Sequence, residues 1–153
     1  MRPRRFLAGV ESLEPREVLS ALGMFSGHGA GDVIARQPLL NGSYETATTL
    51  HGTSRTLGAF TGQLVTGFAV DQYHVLGGLA RFTDAAGDSV LATVSGSYQK
   101  PRRGLTHISG TLNFTIVGGT GALSHATGRG QLFISQNVEN EHLKFTVTGG
   151  GGI

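Results

Sequence analysis

From Ser43 to Gly149, apolar side chains recur at every second residue, in long runs separated by short polar turns. A period of two sends successive side chains to opposite faces of an extended strand, so such runs commit a chain to strands with one buried face. Helical spacing is nearly absent. Seven strands are predicted, at about 43–50, 56–68, 74–83, 89–99, 105–117, 127–137 and 142–149. Glycine (25 of 153 residues) and a charged fraction of only 14 % would suit a disordered chain. The 39 % of hydrophobic residues, held in phase, instead build a core.

The turns set a register. Asp84 to Asp88 closes a hairpin that places Phe82 beside Val90, Ala80 beside Ala92, Gly78 beside Val94 and His74 beside Tyr98. A tight loop at Gln99 to Gly104 sets Leu112 near Ala92 and Phe114 near Val90. A turn around Asp71-Gln72 pairs Phe60 with Phe82 and Phe68 with His74. One face then holds Phe60, Leu64, Phe68, Leu76, Phe82, Val90, Val94, Ile108, Leu112, Phe114 and Ile116. Gly62, Gly78, Ala80, Ala92, Gly96 and Gly110 alternate with them. Small residues between large ones suit a strongly curved interior. The fold class read from this pattern is all-β, an antiparallel up-and-down meander of seven or eight strands. Strands this long would leave exposed edges, which closure into a barrel removes. A flattened β-sandwich is the alternative.

The first 26 residues differ from the rest. Arg2, Arg4 and Arg5 precede Phe6, Leu7, Ala8 and Val10, but Glu11, Glu14, Arg16 and Glu17 interrupt the apolar run that an ordinary signal peptide requires. The stretch Val10 to Ser20, with Leu13-Glu14-Pro15-Arg16 intact and Val18 before Leu19, resembles the LEPR-XLL motif of exported and surface proteins of one bacterial lineage. Arg4-Arg5-Phe6-Leu7 also resembles a twin-arginine signal without its spacer. The resemblance implies export or surface sorting, hence a secreted or cell-envelope location. The other reading is an amphipathic helix opened by Pro15 and docked on the domain. The organisation expected is a leader at 1–26, a flexible linker at 27–42 in which Asp32 to Ala35 could add a short edge strand, and a barrel domain at 43–153.

Phe114 to Gly130 runs from a strand into Gly118-Gly119-Thr120-Gly121, through a short helical turn at Ala122-Leu123, to Ala126-Thr127-Gly128 opening the next strand. This segment resembles the barrel of plant dirigent proteins and allene oxide cyclases and of their bacterial cyclase-like counterparts, over about Gly52 to Gly149. The resemblance implies a calycin-like barrel, and an activity that steers a reactive lipophilic intermediate within an apolar cavity. On the residues alone, Gly118, Gly119, Gly121 and Gly128 read as a structural turn permitting positive φ and close backbone approach, with Leu123 as a plug. The phosphate-loop alternative lacks a Lys-Ser/Thr after Gly121 and a long helix.

Several chemistries are disfavoured. There is no cysteine, which removes disulfides and thiolate sites. Of twelve basic and ten acidic residues, four and three precede Gly27, so the remainder holds eight and seven. That near-neutral body argues against a nucleic-acid partner. No apolar run reaches transmembrane length. Of the domain's acids, Glu45, Asp71, Asp84, Asp88, Glu139 and Glu141, five fall in predicted turns, so no inward carboxylate pair is available for acid–base work. The six histidines, His28, His51, His74, His107, His125 and His142, lack local metal-ligand spacing. No metal and no cofactor is expected, and no catalytic residue is assigned. One constellation is retained: Phe68, His74 and Tyr98 at one barrel end, beside the Lys100-Pro101-Arg102-Arg103 loop. Such a mouth suits a small lipophilic ligand with an anionic group. The alternative is that these residues cap the core while the loop is solvated. The reading is therefore an exported or envelope barrel module, non-catalytic, for binding or structure. The alternative function is a cyclase- or dirigent-like isomerase. Self-association through a sheet edge is a further possibility.

Overall fold

The computed structural model describes residues 25–152. They form eight strands: β1 (Gly27–Pro38), β2 (Tyr44–Ser54), β3 (Gly58–Phe68), β4 (His74–Asp84), β5 (Ser89–Tyr98), β6 (His107–Gly119), β7 (Thr127–Asn137) and β8 (His142–Gly152). A single 3₁₀ turn, Gly121–Leu123, lies between β6 and β7. Each strand pairs antiparallel with the next, and β1 also pairs with β8, so the meander is a closed barrel. Closure leaves no sheet edge along the β1–β8 seam, where Gly27 to Asp32 face Val147 to His142.

The first strand corrects the expected linker. Residues 27–38 are not a linker but the strand that shuts the barrel, bonded to β2 on one side and β8 on the other. A Cβ at Gly29 would lie 2.6 Å from Cζ of Phe145, and one at Gly31 2.8 Å from a methyl of Leu50. Neighbouring strands supply the bulk here, so β1 carries glycine where the others carry large residues and loses their alternating signature. The domain also begins before Gly27. Phe25 is buried, meets Phe114 edge-on at 6.5 Å and donates its N–H to the carbonyl of Gly149, so it packs as part of the barrel. The leader motifs at 2–20 lie outside the described residues.

The β4–β5 register is as expected at Phe82–Val90, Ala80–Ala92 and Gly78–Val94. Two other hairpins differ by even steps. Gly62, not Phe60, faces Phe82 across β3–β4. Across β5–β6, Ala92 faces Ile116 and Val94 faces Phe114, because residues 100–106 form a longer loop than a tight hairpin needs. An even shift keeps every side chain on its own face, so the buried set survives the change.

Odd shifts do not. A β-bulge in β4 breaks the register between Val75 and Gly78, so His74 faces Ser97 instead of Tyr98, and Phe68 faces Val75 instead of His74. Val75 turns inward, while Leu76, expected inside, is 71 % exposed. Similar shifts fall between Val33 and Ala35 in β1 and opposite Val117 in β6, where Ile34 and Val117 also point to solvent. Each bulge inserts one residue with no partner, and that residue is re-aimed outward.

The interior is graded. At the end closed by the β2–β3, β4–β5 and β6–β7 turns it is aromatic and aliphatic, with Phe25, Leu57, Phe60, Val90, Phe114 and Leu123 buried. Rings sit against glycines there: a Cβ on Gly130 or Gly149 would come within 2.8 Å of Cζ of Phe114. Toward the other end Thr46, Thr48, Thr66 and Gln136 are buried, with Thr46 and Thr66 hydroxyls 2.7 Å apart across β2–β3.

Candidate functional site

The β1–β2, β3–β4, β5–β6 and β7–β8 turns meet at the more polar end of the barrel. Here Phe68 closes β3 and Tyr98 closes β5, both buried, with rings 5.4 Å apart at 36°. Tyr44, the first residue of β2, stacks on Phe68 at 4.8 Å with planes only 4° apart. The Arg36 guanidinium lies 5.5 Å from the Tyr44 ring centre and makes a two-pronged bond to Glu141, its Nε and Nη2 each 3.2 Å from a carboxylate oxygen. A column thus runs from solvent to core: Glu141, Arg36, Tyr44, Phe68, Tyr98. Aromatic pairs of this kind contribute about 0.5–1.5 kcal/mol each, and a surface cation–π contact about 0.5–1 kcal/mol.

The structure brings Phe68 and Tyr98 together as expected, but not His74. Its imidazole is 68 % exposed and bonds through Nδ1 to the Asp71 carboxylate in the β3–β4 turn. Asp71 also accepts the backbone N–H groups of Tyr73 and His74 at 2.9 and 3.0 Å. These two backbone bonds, more than the imidazole, hold its carboxyl down at about 2. The His74–Asp71 pair is a turn clasp on the outside of the rim. Tyr44 and Arg36 were not singled out from sequence. Arg36 falls in the segment read as a linker, and Tyr44 opens the strand whose phase was least defined; its place just after Asn41-Gly42 was the available signal.

Electrostatically the column is quiet. Burial pushes the Tyr98 phenol well above its ordinary range, with the neighbouring Tyr44 adding to it, so the hydroxyl stays neutral and is no base near neutral pH. Burial also raises Tyr44, against the lowering effect of Arg36. Burial opposes the Arg36 charge, but the Glu141 and Tyr44 contacts outweigh it and the guanidinium stays protonated. Gln136, on β7, has a buried side-chain nitrogen without a hydrogen-bond partner among the described residues. An orphaned amide of this kind costs about 1–3 kcal/mol.

Opposite, the glycine segment seals the apolar end. β6 runs through Gly118 and Gly119, which do not adopt the positive φ expected of them; Gly121 does, at +55°, and Gly128 lies at +154°. The Asp88 carboxylate sits in this turn and accepts the Ala122 N–H at 3.3 Å, while Thr120 exchanges bonds with Ser89. The turn already faces a carboxylate of its own chain, which repels a phosphate. Leu123 is buried beneath it.

In the apolar half of the barrel lies a cavity of about 40 Å³, lined by residues that include Phe25, Phe60, Phe82, Val94 and Phe114, with no ionisable side chain. Glu45 is exposed on the outer wall, and Tyr98 does not line the cavity. Among the described residues, no three His, Asp or Glu side chains gather where they could hold a metal ion. His142 bonds Asp32 at 3.0 Å, and the His107 ring meets the Thr106 hydroxyl at 3.2 Å. No helix among these residues is long and apolar enough to cross a membrane. Comparison with protein-family models, curated proteins and solved structures found no match for this chain.

Proposed function

We propose that this chain is a non-catalytic β-barrel module of the cell envelope or extracellular space, with a binding or structural role. The observation that carries this reading is how little free space the interior holds. The cavity is about 40 Å³, whereas pockets for drug-sized ligands run to about 300–1,000 Å³. Its wall carries no ionisable side chain, Ser54 being its one polar residue, and the Arg36–Tyr44–Phe68–Tyr98 column closes the opposite end of the barrel. A cyclase- or dirigent-like steering role, suggested by the resemblance of Phe114 to Gly130, asks for a larger chamber with a polar group inside. The location rests on the resemblance of Val10 to Ser20 to a sorting motif.

Titrating the full chain with a lipophilic fluorescent probe tests this. No saturable binding is expected from the native chain. Phe25→Ala, which removes a ring from the cavity wall at a cost of about 3–5 kcal/mol, is expected to admit a small aromatic probe and shows that uptake is detectable. Saturable binding by the native chain that disappears in Tyr98→Ala or Phe68→Ala would overturn the reading.

A further inference from the structure

The exposed aliphatic residues of the turns are not scattered. All four turns at the polar end carry them: Leu39 and Leu40 between β1 and β2, Val70 between β3 and β4, Leu105 between β5 and β6, and Val138 between β7 and β8. The three turns at the opposite end expose nothing apolar larger than alanine among the described residues, since Leu57 and Leu123 are turned into the core. Isolated surface leucines are ordinary; one or more on every tip of a single rim is a pattern. The tips also adjoin in two pairs, the β1–β2 turn with the β3–β4 turn and the β5–β6 loop with the β7–β8 turn. A Cβ on Gly42 would sit 3.7 Å from a Val70 methyl, and Val138 donates its N–H to Thr106 at 2.8 Å.

The rim carries a matching charge. Lys100, Arg102 and Arg103 are exposed and form no ion pair among the described residues. Of the acids at this end, Asp71 is held by His74 and its own turn and Glu141 by Arg36, while Glu139 and Glu45 form no ion pair among the described residues. Three unpaired cations thus stand together on one loop beside the aliphatic tips. The outer wall presents mostly Thr, Ser, Gln and charged side chains, such as Thr61, Gln63, Arg81, Thr111 and Gln131; Val65 and Leu79, paired across β3–β4, and Ile34, Leu76, Val117 and Phe133 are exposed among them, too few for the continuous apolar band of a lipid-facing wall.

We propose that this rim docks end-on against an anionic lipid surface, with the aliphatic tips entering the headgroup region and Lys100, Arg102 and Arg103 meeting lipid phosphates. Shallow apolar insertion combined with basic residues is how peripheral proteins hold such surfaces, and each signal alone is weak. The inference goes beyond the functional reading above and does not depend on what the interior binds.

Co-sedimentation of the full chain with vesicles of phosphatidylglycerol and phosphatidylcholine, against phosphatidylcholine alone, reads it directly. The native chain is expected to partition onto the anionic vesicles. Lys100→Gln/Arg102→Gln/Arg103→Gln should lower that partition by about fivefold per charge removed. Leu40→Ser/Leu105→Ser should lower it at least about tenfold, because two side chains no longer leave water. All five positions are exposed, and unchanged thermal unfolding of each variant shows that the fold is intact. Absence of partition by the native chain overturns the proposal. So does partition that persists in the leucine variant, or equal binding to a soluble polyanion such as heparin, either of which marks a simple anion site.

Discussion

Gly130 and Gly118 lie on strands β7 and β6, near the same end of the barrel, and their surroundings predict opposite outcomes for the same substitution. A Cβ on Gly130 would stand 2.1 Å from the carbonyl oxygen of Thr148 and 2.8 Å from Cζ of Phe114, so strand and ring must both move. Gly130→Ala is expected to lose about 1–3 kcal/mol in urea unfolding. Gly118 has no atom within 4 Å of the added carbon and no positive φ, so Gly118→Ala should be neutral or gain about 0.4–1 kcal/mol by restricting the unfolded chain. Sequence alone treats both as members of one glycine-rich segment. Asp71 gives the residue-scale pH prediction. Its carboxyl falls from an ordinary 3.8 to about 2 because the folded turn donates two N–H groups to the charged form. The clasp therefore stabilises the turn fully above about pH 4, and its contribution is lost as pH falls toward 2. Carbon-detected NMR of the Asp71 carboxyl should show a midpoint near 2, and a midpoint near 4 would contradict the clasp.

Among the elements, β1 separates pattern from structure most sharply. Its inward positions include Gly27, Gly29 and Gly31, which leave space for Phe145 and Leu50 and so erase the alternation by which the other strands are recognised. Read alone, the segment is a linker; held between β2 and β8, it is the seam of the barrel. Amide exchange distinguishes the two. Amides of Gly29 to Val33 should be protected to a degree comparable with those of β2, whereas a linker would exchange without protection. The β4 bulge is the second element-scale lesson. Even register shifts at β3–β4 and β5–β6 left Leu64, Phe114 and Leu112 inside, while the odd shift at Leu76 moved His74 away from Tyr98 and so dismantled the predicted three-residue site. A bulge changes which face a side chain takes but leaves little trace in a run of alternating residues.

At the scale of the whole molecule, closure joins residues far apart in sequence, as where Gly27 meets Val147. Contacts of that separation cost loop entropy before they stabilise anything, so stopped-flow refolding is expected in milliseconds to seconds. Full recovery of native fluorescence within microseconds would contradict a structure that must close its seam. Closure also assembles the Glu141–Arg36–Tyr44–Phe68–Tyr98 column, whose members come from four strands and the β7–β8 turn, and lines up four turns on one rim. By itself, the sequence determined the all-β class, most strand positions, the β4–β5 register from Gly78 to Phe82 and the identity of most core residues. These follow from period-two alternation and turn chemistry, which are local. Tertiary structure alone decided that 27–38 is a strand, that His74 faces solvent and that the interior keeps only a small apolar cavity. Each of these depends on what a distant strand places opposite: a phenyl ring in front of a glycine, an unpaired residue at a bulge, or an arginine across the mouth.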